Sequence, residues 1–158
     1  MHNQRGVTLL EIMISLLVAS LGILGVASLQ YAGMKSAQEG YFFSAAALLA
    51  DDIAERIRVN STAKSAYARA MASSYAAGTD CDTTECTAAQ MAAFDIQQWL
   101  AAVAARLPNS AGAIAYTAGS PSRYAITVRW RGLSDGNCDA SGGSGTGYWC
   151  FNMSLEAL

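Results

Sequence analysis

Gly6-Val7-Thr8-Leu9-Leu10-Glu11 begins the stretch that decides how this chain is read, and apolar sequence continues from it to Leu29. Ahead of the glycine, Met1 to Arg5 form a short basic leader that carries His2 and Arg5. A bilayer core takes about 20 apolar residues as a helix, so residues 7–29 are long enough to cross one. The run contains a single charge, Glu11, and no Lys, Arg or His to pair with it. A carboxylate costs roughly 2.5–3.5 kcal/mol at the centre of a membrane helix, and such a residue is by default a functional one. The bland alternative is that Glu11, close to the helix end, only snorkels to the headgroups. The basic leader, with Lys35 as the next charge after the run, places the N-terminus inside and the rest of the chain outside. An ordinary secretory signal has an apolar region of about 7–15 residues followed by a small-residue cleavage site. This run is longer, and Ala19-Ser20-Leu21-Gly22 is a weak cleavage candidate inside it.

Gly6-Val7-Thr8-Leu9-Leu10-Glu11 resembles the class III signal sequence of type IV pilins and type II secretion pseudopilins. The resemblance implies that a prepilin peptidase cuts on the cytoplasmic side, with Gly6 the last leader residue. Val7 is then the new, methylated N-terminus, where the family usually has Phe. The apolar segment stays attached as membrane anchor and later as filament core. Glu11 becomes the acid five positions into the mature chain, paired with the N-terminal amine of a neighbouring subunit. A buried carboxylate–ammonium pair is tolerable when made and costly when one partner is lost.

The helical pattern continues beyond the anchor. Leu49, Ile53 and Ile57 recur at four-residue spacing, with Ala46, Ala50 and Ala54 beside them. Asp51, Asp52, Glu55, Arg56 and Arg58 take the other faces, and Glu55 precedes Arg58 by three as a weak intrahelical pair. Asn60-Ser61-Thr62 reads as the helix end. A continuous helix from Val7 to Asn60 spans roughly 80 Å at about 1.5 Å per residue. Gly22, Gly25, Gly33 and Gly40 are either points of bending or sites of close helix contact. Leu48 to Asn60 also resembles the post-anchor helix of PilV-type minor pilins, and Tyr124 to Trp130 resembles a strand of that group.

Ala63 to Gly78 is rich in Ala, Ser and Tyr and reads as loop with some helix. Thr87-Ala88-Ala89-Gln90 is a capping-box pattern. Met91, Ile96, Trp99, Leu100, Val103 and Leu107 follow as one apolar stripe, which Pro108 ends, and Trp99 reads as core. The period then changes. Tyr124, Ile126, Val128 and Trp130 alternate with Ala125, Thr127, Arg129 and Arg131, a half-buried strand. Ala113 to Ala118 is a shorter strand candidate, with Gly119-Ser120-Pro121-Ser122 as the turn between them. Tyr148 to Leu155 is another, with Trp149, Phe151, Met153 and Leu155 on one face.

The expected fold is therefore α+β. A long N-terminal helix, half membrane-spanning and half amphipathic, packs on a C-terminal domain. That domain holds a shorter helix and an antiparallel sheet of about three or four strands. The expected segments are a leader over 1–6, a transmembrane or filament-core helix over 7–29, its amphipathic continuation over 30–60, and an exported α+β domain over 61–158.

Cys81, Cys86, Cys138 and Cys150 are an even set in an exported domain, which suggests disulfides, and four cysteines allow three pairings. Cys81–Cys86 and Cys138–Cys150 each bracket a loop, Asp82 to Glu85 and the Gly/Ser-rich Asp139 to Trp149. Closing about 11 flexible residues contributes close to 3 kcal/mol in the chain-entropy view. The family resemblance also implies a C-terminal disulfide loop at Cys138–Cys150. The spacings do not suit zinc, and the lone histidine lies in the leader, so no metal is expected. Asp80, Asp82 and Glu85 lack the spacing of a calcium loop and read as a solvated turn.

Charged residues make up 14% of the chain, against about 25% in typical domains, and the net charge of −2 gives no reason to expect nucleic acid. No histidine follows the leader, which excludes a His-based triad in the mature chain. There is no phosphate loop or dinucleotide fingerprint, and Ser141 to Gly147 is a surface loop. Neither enzymatic activity nor a cofactor is expected. By resemblance the chain is a minor pilin that helps to start assembly of a type IV pilus. It would be anchored once in the bacterial inner membrane with its domain in the periplasm, then carried to the cell surface. Its partners would be prepilin peptidase, the inner-membrane assembly platform, other minor pilins and the major pilin. The alternatives are a minor pseudopilin of type II secretion and a membrane-anchored adhesion module.

Overall fold

The computed structural model describes residues 8–139, 141–143 and 145–157. In order they form α1 (Leu9–Val59), a 3-10 helix (Ser61–Tyr67), β1 (Arg69–Ala72), α2 (Ala88–Arg106), β2 (Ala111–Thr117), β3 (Ser122–Trp130) and β4 (Trp149–Ala157). The expected α+β architecture is what the chain adopts. The chain divides into two units, 1–38 and 39–158, and α1 belongs in part to each.

In the first unit α1 is apolar on every face from Ile12 to Leu29 and buried on none: Ile23 is 70% and Leu29 74% exposed. Both prolines of the chain, Pro108 and Pro121, lie far downstream, so nothing in α1 removes a ladder hydrogen bond. The helix passes through Gly22, Gly25, Gly33 and Gly40 unbroken, and a Cβ added at any of them would meet open space.

In the second unit the apolar stripe of α1 turns to a core. Phe42, Ala45, Ala46, Leu49, Ala50, Ile53, Ala54 and Ile57 are buried, at helical spacing. Burying each of the large ones contributes about 1.5–3 kcal/mol. Against this stripe lie Ile96, Trp99, Leu100 and Val103 of α2 and Ile114, Tyr124, Ile126, Val128 and Trp130 of the sheet. The capping box at α2 forms as its sequence implies: the Gln90 N–H donates to Thr87 Oγ1, and the Thr87 N–H donates to Gln90 Oε1 at 2.9 Å. Met91, expected on the stripe, is only half-buried, and Ala92 and Asp95 hold that part of the core face instead.

The four strands form an antiparallel meander in the order β1-β2-β3-β4. Ile114 pairs with Ile126, and Val128 with Phe151, so even-numbered positions of β3 face the core and odd-numbered ones face out. Gly112 on β2 exists for contact: a Cβ there would meet the Trp99 ring, with Cζ3 at 2.6 Å. β1 lies within the segment read from sequence as loop with some helix, and is a correction to that reading. Its four residues carry no usable alternation, and the strand exists because β2 offers it an edge, Arg69 pairing with Ile114. Phe43 of α1 meets Trp130, Trp149 and Phe151 edge to face, at centroid distances of 5.5, 6.4 and 6.1 Å. Such pairs add about 0.5–1.5 kcal/mol beyond area burial.

Candidate functional site

Gly6 and Val7, the expected processing residues, lie outside the described residues. The description begins at Thr8, whose Oγ1 accepts from the Glu11 N–H at 3.3 Å. Thr8-Leu9-Leu10-Glu11 is thus a Thr-x-x-Glu helix start, a signal present in the sequence and overlooked in reading it. The cap places Glu11 in the first helical turn, where the positive end of the helix favours a negative charge. The Glu11 carbonyl accepts from Ser15 Oγ at 2.7 Å, while its carboxylate has no ion-pair or hydrogen-bond partner among the described residues.

The helix around Glu11 has an 18-residue window of mean hydropathy 2.4, none of it buried inside the chain. An apolar surface of this extent on a folded protein marks a membrane or protein contact. In lipid the backbone of such a segment satisfies itself as helix, and small Gly, Ala and Ser side chains let other helices approach closely. Ser15, Ser20 and Ser28 turn their hydroxyls back onto the carbonyls of Glu11, Leu17 and Gly25, so none of the three carries an unsatisfied donor into the apolar surroundings. The segment fits a single-pass anchor with one charge near its start.

At the other end of the chain the structure joins Cys81 to Cys86 and Cys138 to Cys150, and no described cysteine is free. The second bridge closes a loop whose base is a small ladder. The Cys138 N–H donates to the Tyr148 carbonyl at 3.0 Å, and the Tyr148 N–H donates to the Cys138 carbonyl at 3.1 Å. Inside the loop Asp139 Oδ1 accepts from Ser141 Oγ, the Ser141 N–H and the Gly143 N–H at 2.6, 2.8 and 3.1 Å. The Ser141 hydroxyl first, then these amides, hold the Asp139 carboxyl below the usual carboxylate range. Among the described residues no three His, Cys, Asp or Glu cluster as metal ligands.

A polar cluster escaped the sequence reading. Arg56 of α1 donates to Asp95 Oδ1 at 3.1 Å and to Gln98 Oε1 at 2.9 Å, and it also pairs with Asp52 at 3.3 Å. Tyr67 of the 3-10 helix donates to Asp95 Oδ2, and Asn60 Nδ2 donates to the Ala88 carbonyl at 2.8 Å. Burial first, and then the bond to Asp95, push the Tyr67 phenol above its ordinary value. The cluster ties α1, the 3-10 helix and α2 together. Asp95 and Tyr67 are buried, while Arg56 and Asp52 lie at its partly exposed edge.

Residues 1–27 match the family model described as the prokaryotic N-terminal methylation motif, and residues 28–97 match the model described as type IV pilin Tt1218. The two matches adjoin, so the anchor, its cap and the helix that enters the core fall under them without a gap. No curated protein and no solved structure matches the chain.

Proposed function

We propose that this chain, which belongs to the type IV pilin family, is a minor pilin that helps to start pilus assembly. The family is one of structural subunits, and its members work by packing together rather than by catalysis. The observation that carries the reading is the first unit of the chain: a bare apolar helix, capped at Thr8, whose one first-turn carboxylate has no partner among the described residues. Such a helix needs a membrane before assembly and neighbouring helices after it. Glu11 supplies the one charge by which a neighbour's register can be sensed.

In this reading prepilin peptidase cuts between Gly6 and Val7, and the new ammonium at Val7 is what a neighbouring Glu11 pairs with. The inner-membrane assembly platform would extract the chain, and other minor pilins and the major pilin would pack against it. The exported domain would stand in the periplasm first and on the pilus afterwards. The likeness of Leu48 to Asn60 to PilV-type sequences favours a minor over a major role.

The test is a clean deletion with complementation, read by surface pilus counts and by quantitative mass spectrometry of sheared filaments. A minor pilin predicts few or no pili in the deletion, and far fewer copies of this chain than of the main subunit in complemented filaments. Equal abundance would make it the major pilin. Intact pili with lost protein secretion would assign it to a secretion pseudopilus.

A further inference from the structure

Arg129 and Arg131 share one aromatic ring. Their guanidinium carbons lie 4.2 and 5.8 Å from the centroid of Tyr148. Among the described residues neither has a carboxylate partner. The Arg129 Nε is shielded from solvent and has no hydrogen-bond partner there. Two like charges drawn to one ring repel each other. Stacking on the ring offsets part of that repulsion but leaves the guanidinium donors unused.

The ring is held in place from both sides. Tyr148 is laddered to Cys138, and the disulfide Cys138–Cys150 follows directly. Arg129 also lines an open groove of about 630 Å³ with Ser73, Ser74, Ala111 and Ser141. Ala111 is the residue paired with Arg129 across β2 and β3, Ser73 and Ser74 follow β1, and Ser141 belongs to the disulfide loop. Neither Asp139 nor Asp135 forms an ion pair with the arginines among the described residues; the Asp139 carboxylate turns onto Ser141 and Gly143 instead. A planar guanidinium with free donors, beside the Ser73 and Ser74 hydroxyls, matches the oxygens of a carboxylate or phosphate.

We infer that the groove lined by Arg129, Ser73, Ser74 and Ser141, with Arg129 held from behind by the Tyr148 ring, binds an oxyanion, the phosphate or carboxylate group of a small acidic ligand. Neither the pilin fold nor the assembly role requires such a site, and it stands whether the chain is a minor or a major subunit.

The probes are inorganic phosphate and glucuronate, titrated separately into the full chain in detergent micelles. Ionic strength is held constant with sodium chloride, and calorimetry and amide NMR shifts are the readouts. Saturable binding of at least one is expected, with shifts at Arg129, Tyr148, Ser141, Ser73 and Ser74. Saturation by phosphate alone assigns a phosphorylated ligand, and by glucuronate alone a carboxylate. Arg129→Gln should weaken binding at least about tenfold, as loss of charge-assisted hydrogen bonds implies. Arg123→Gln, at the opposite end of β3 where Arg123 already pairs with Glu156, should leave binding unchanged. Arg129→Lys keeps the charge and removes the planar fork, so it should weaken binding by a smaller factor, and it carries the test if the Gln variant does not fold. No saturable binding of either probe, or equal weakening by Arg123→Gln, would overturn the assignment.

Discussion

The Trp99 indole N–H donates to the Leu49 carbonyl at 2.8 Å, fastening α2 to α1 in the middle of the core. Trp99 is fully buried, and the ring fills the space that Gly112 leaves on β2. One side chain thus joins both helices and the sheet. Trp99→Phe removes the hydrogen bond, about 1 kcal/mol, and opens a gap beside Gly112. The expected loss of stability is about 2–3 kcal/mol in all, read as a lower midpoint of chemical unfolding at unchanged slope. An unchanged midpoint would mean that the contact does not hold the helices together.

Asp95 is the one acid on the core side of α2, and Arg56 and Tyr67 both donate to it. Asp95→Ala leaves a half-buried guanidinium and a buried phenol short of an acceptor, at a cost of about 2–3 kcal/mol. The Tyr67 phenol, raised in the folded chain, contributes stability that is present below its unfolded pKa of about 10 and is lost as pH rises through its folded value. In Asp95→Ala that phenol should titrate closer to its ordinary value. Absorbance titration of the tyrosines checks this, and an unmoved Tyr67 would show that burial alone sets it.

Asp139 makes the opposite kind of pH prediction. Its folded carboxyl sits below the ordinary range because the Ser141 hydroxyl and the loop amides bond the charged form. The contribution to loop order is therefore present above the unfolded pKa of about 3.9 and is lost as pH falls through the lower folded value. Carboxyl NMR titration should place the Asp139 midpoint below those of the solvated acids. A midpoint among theirs would show that the loop does not hold the carboxylate.

Much of this fold was legible because its periods are long. Leu49, Ile53 and Ile57 announce the buried stripe of α1, Thr87 and Gln90 the start of α2, and Tyr124 to Trp130 the central strand. β1 was not legible: Arg69-Ala70-Met71-Ala72 has neither β-branched residues nor alternation, and only its pairing with β2 makes it a strand. Asp95 was not legible either. A lone acid within an apolar stripe reads as solvated, and its partner Arg56 lies 39 residues earlier. Arg129 looked like the polar face of a strand, and only the fold brings Tyr148 over it. At Glu11 the difficulty is of another kind, since the partner implied for it belongs to a different molecule.

Processing gives the simplest check on the leader. Protein extracted from membranes should have an intact mass that begins at Val7, with one added methyl group. A chain that begins near Leu21 or Gly22 would return the segment to an ordinary signal peptide.

The most direct measurement is made in cells whose only copy of this protein carries Glu11→Ala. Insertion should be normal, because the substitution makes the span more apolar. The domain that follows the anchor should also be unchanged, since the Glu11 carboxylate makes no bond to any described residue. Docking should fail, because an incoming neighbour's N-terminal ammonium would be left unneutralised in lipid. Breaking a buried pair in this way costs about 3–5 kcal/mol, more than a hundredfold in association. Membrane fractions and sheared pili are compared by quantitative mass spectrometry. Wild-type amounts in the membrane with strong depletion from pili is the predicted result. Wild-type amounts in both would contradict it and leave Glu11 as a charge that merely snorkels to the headgroups.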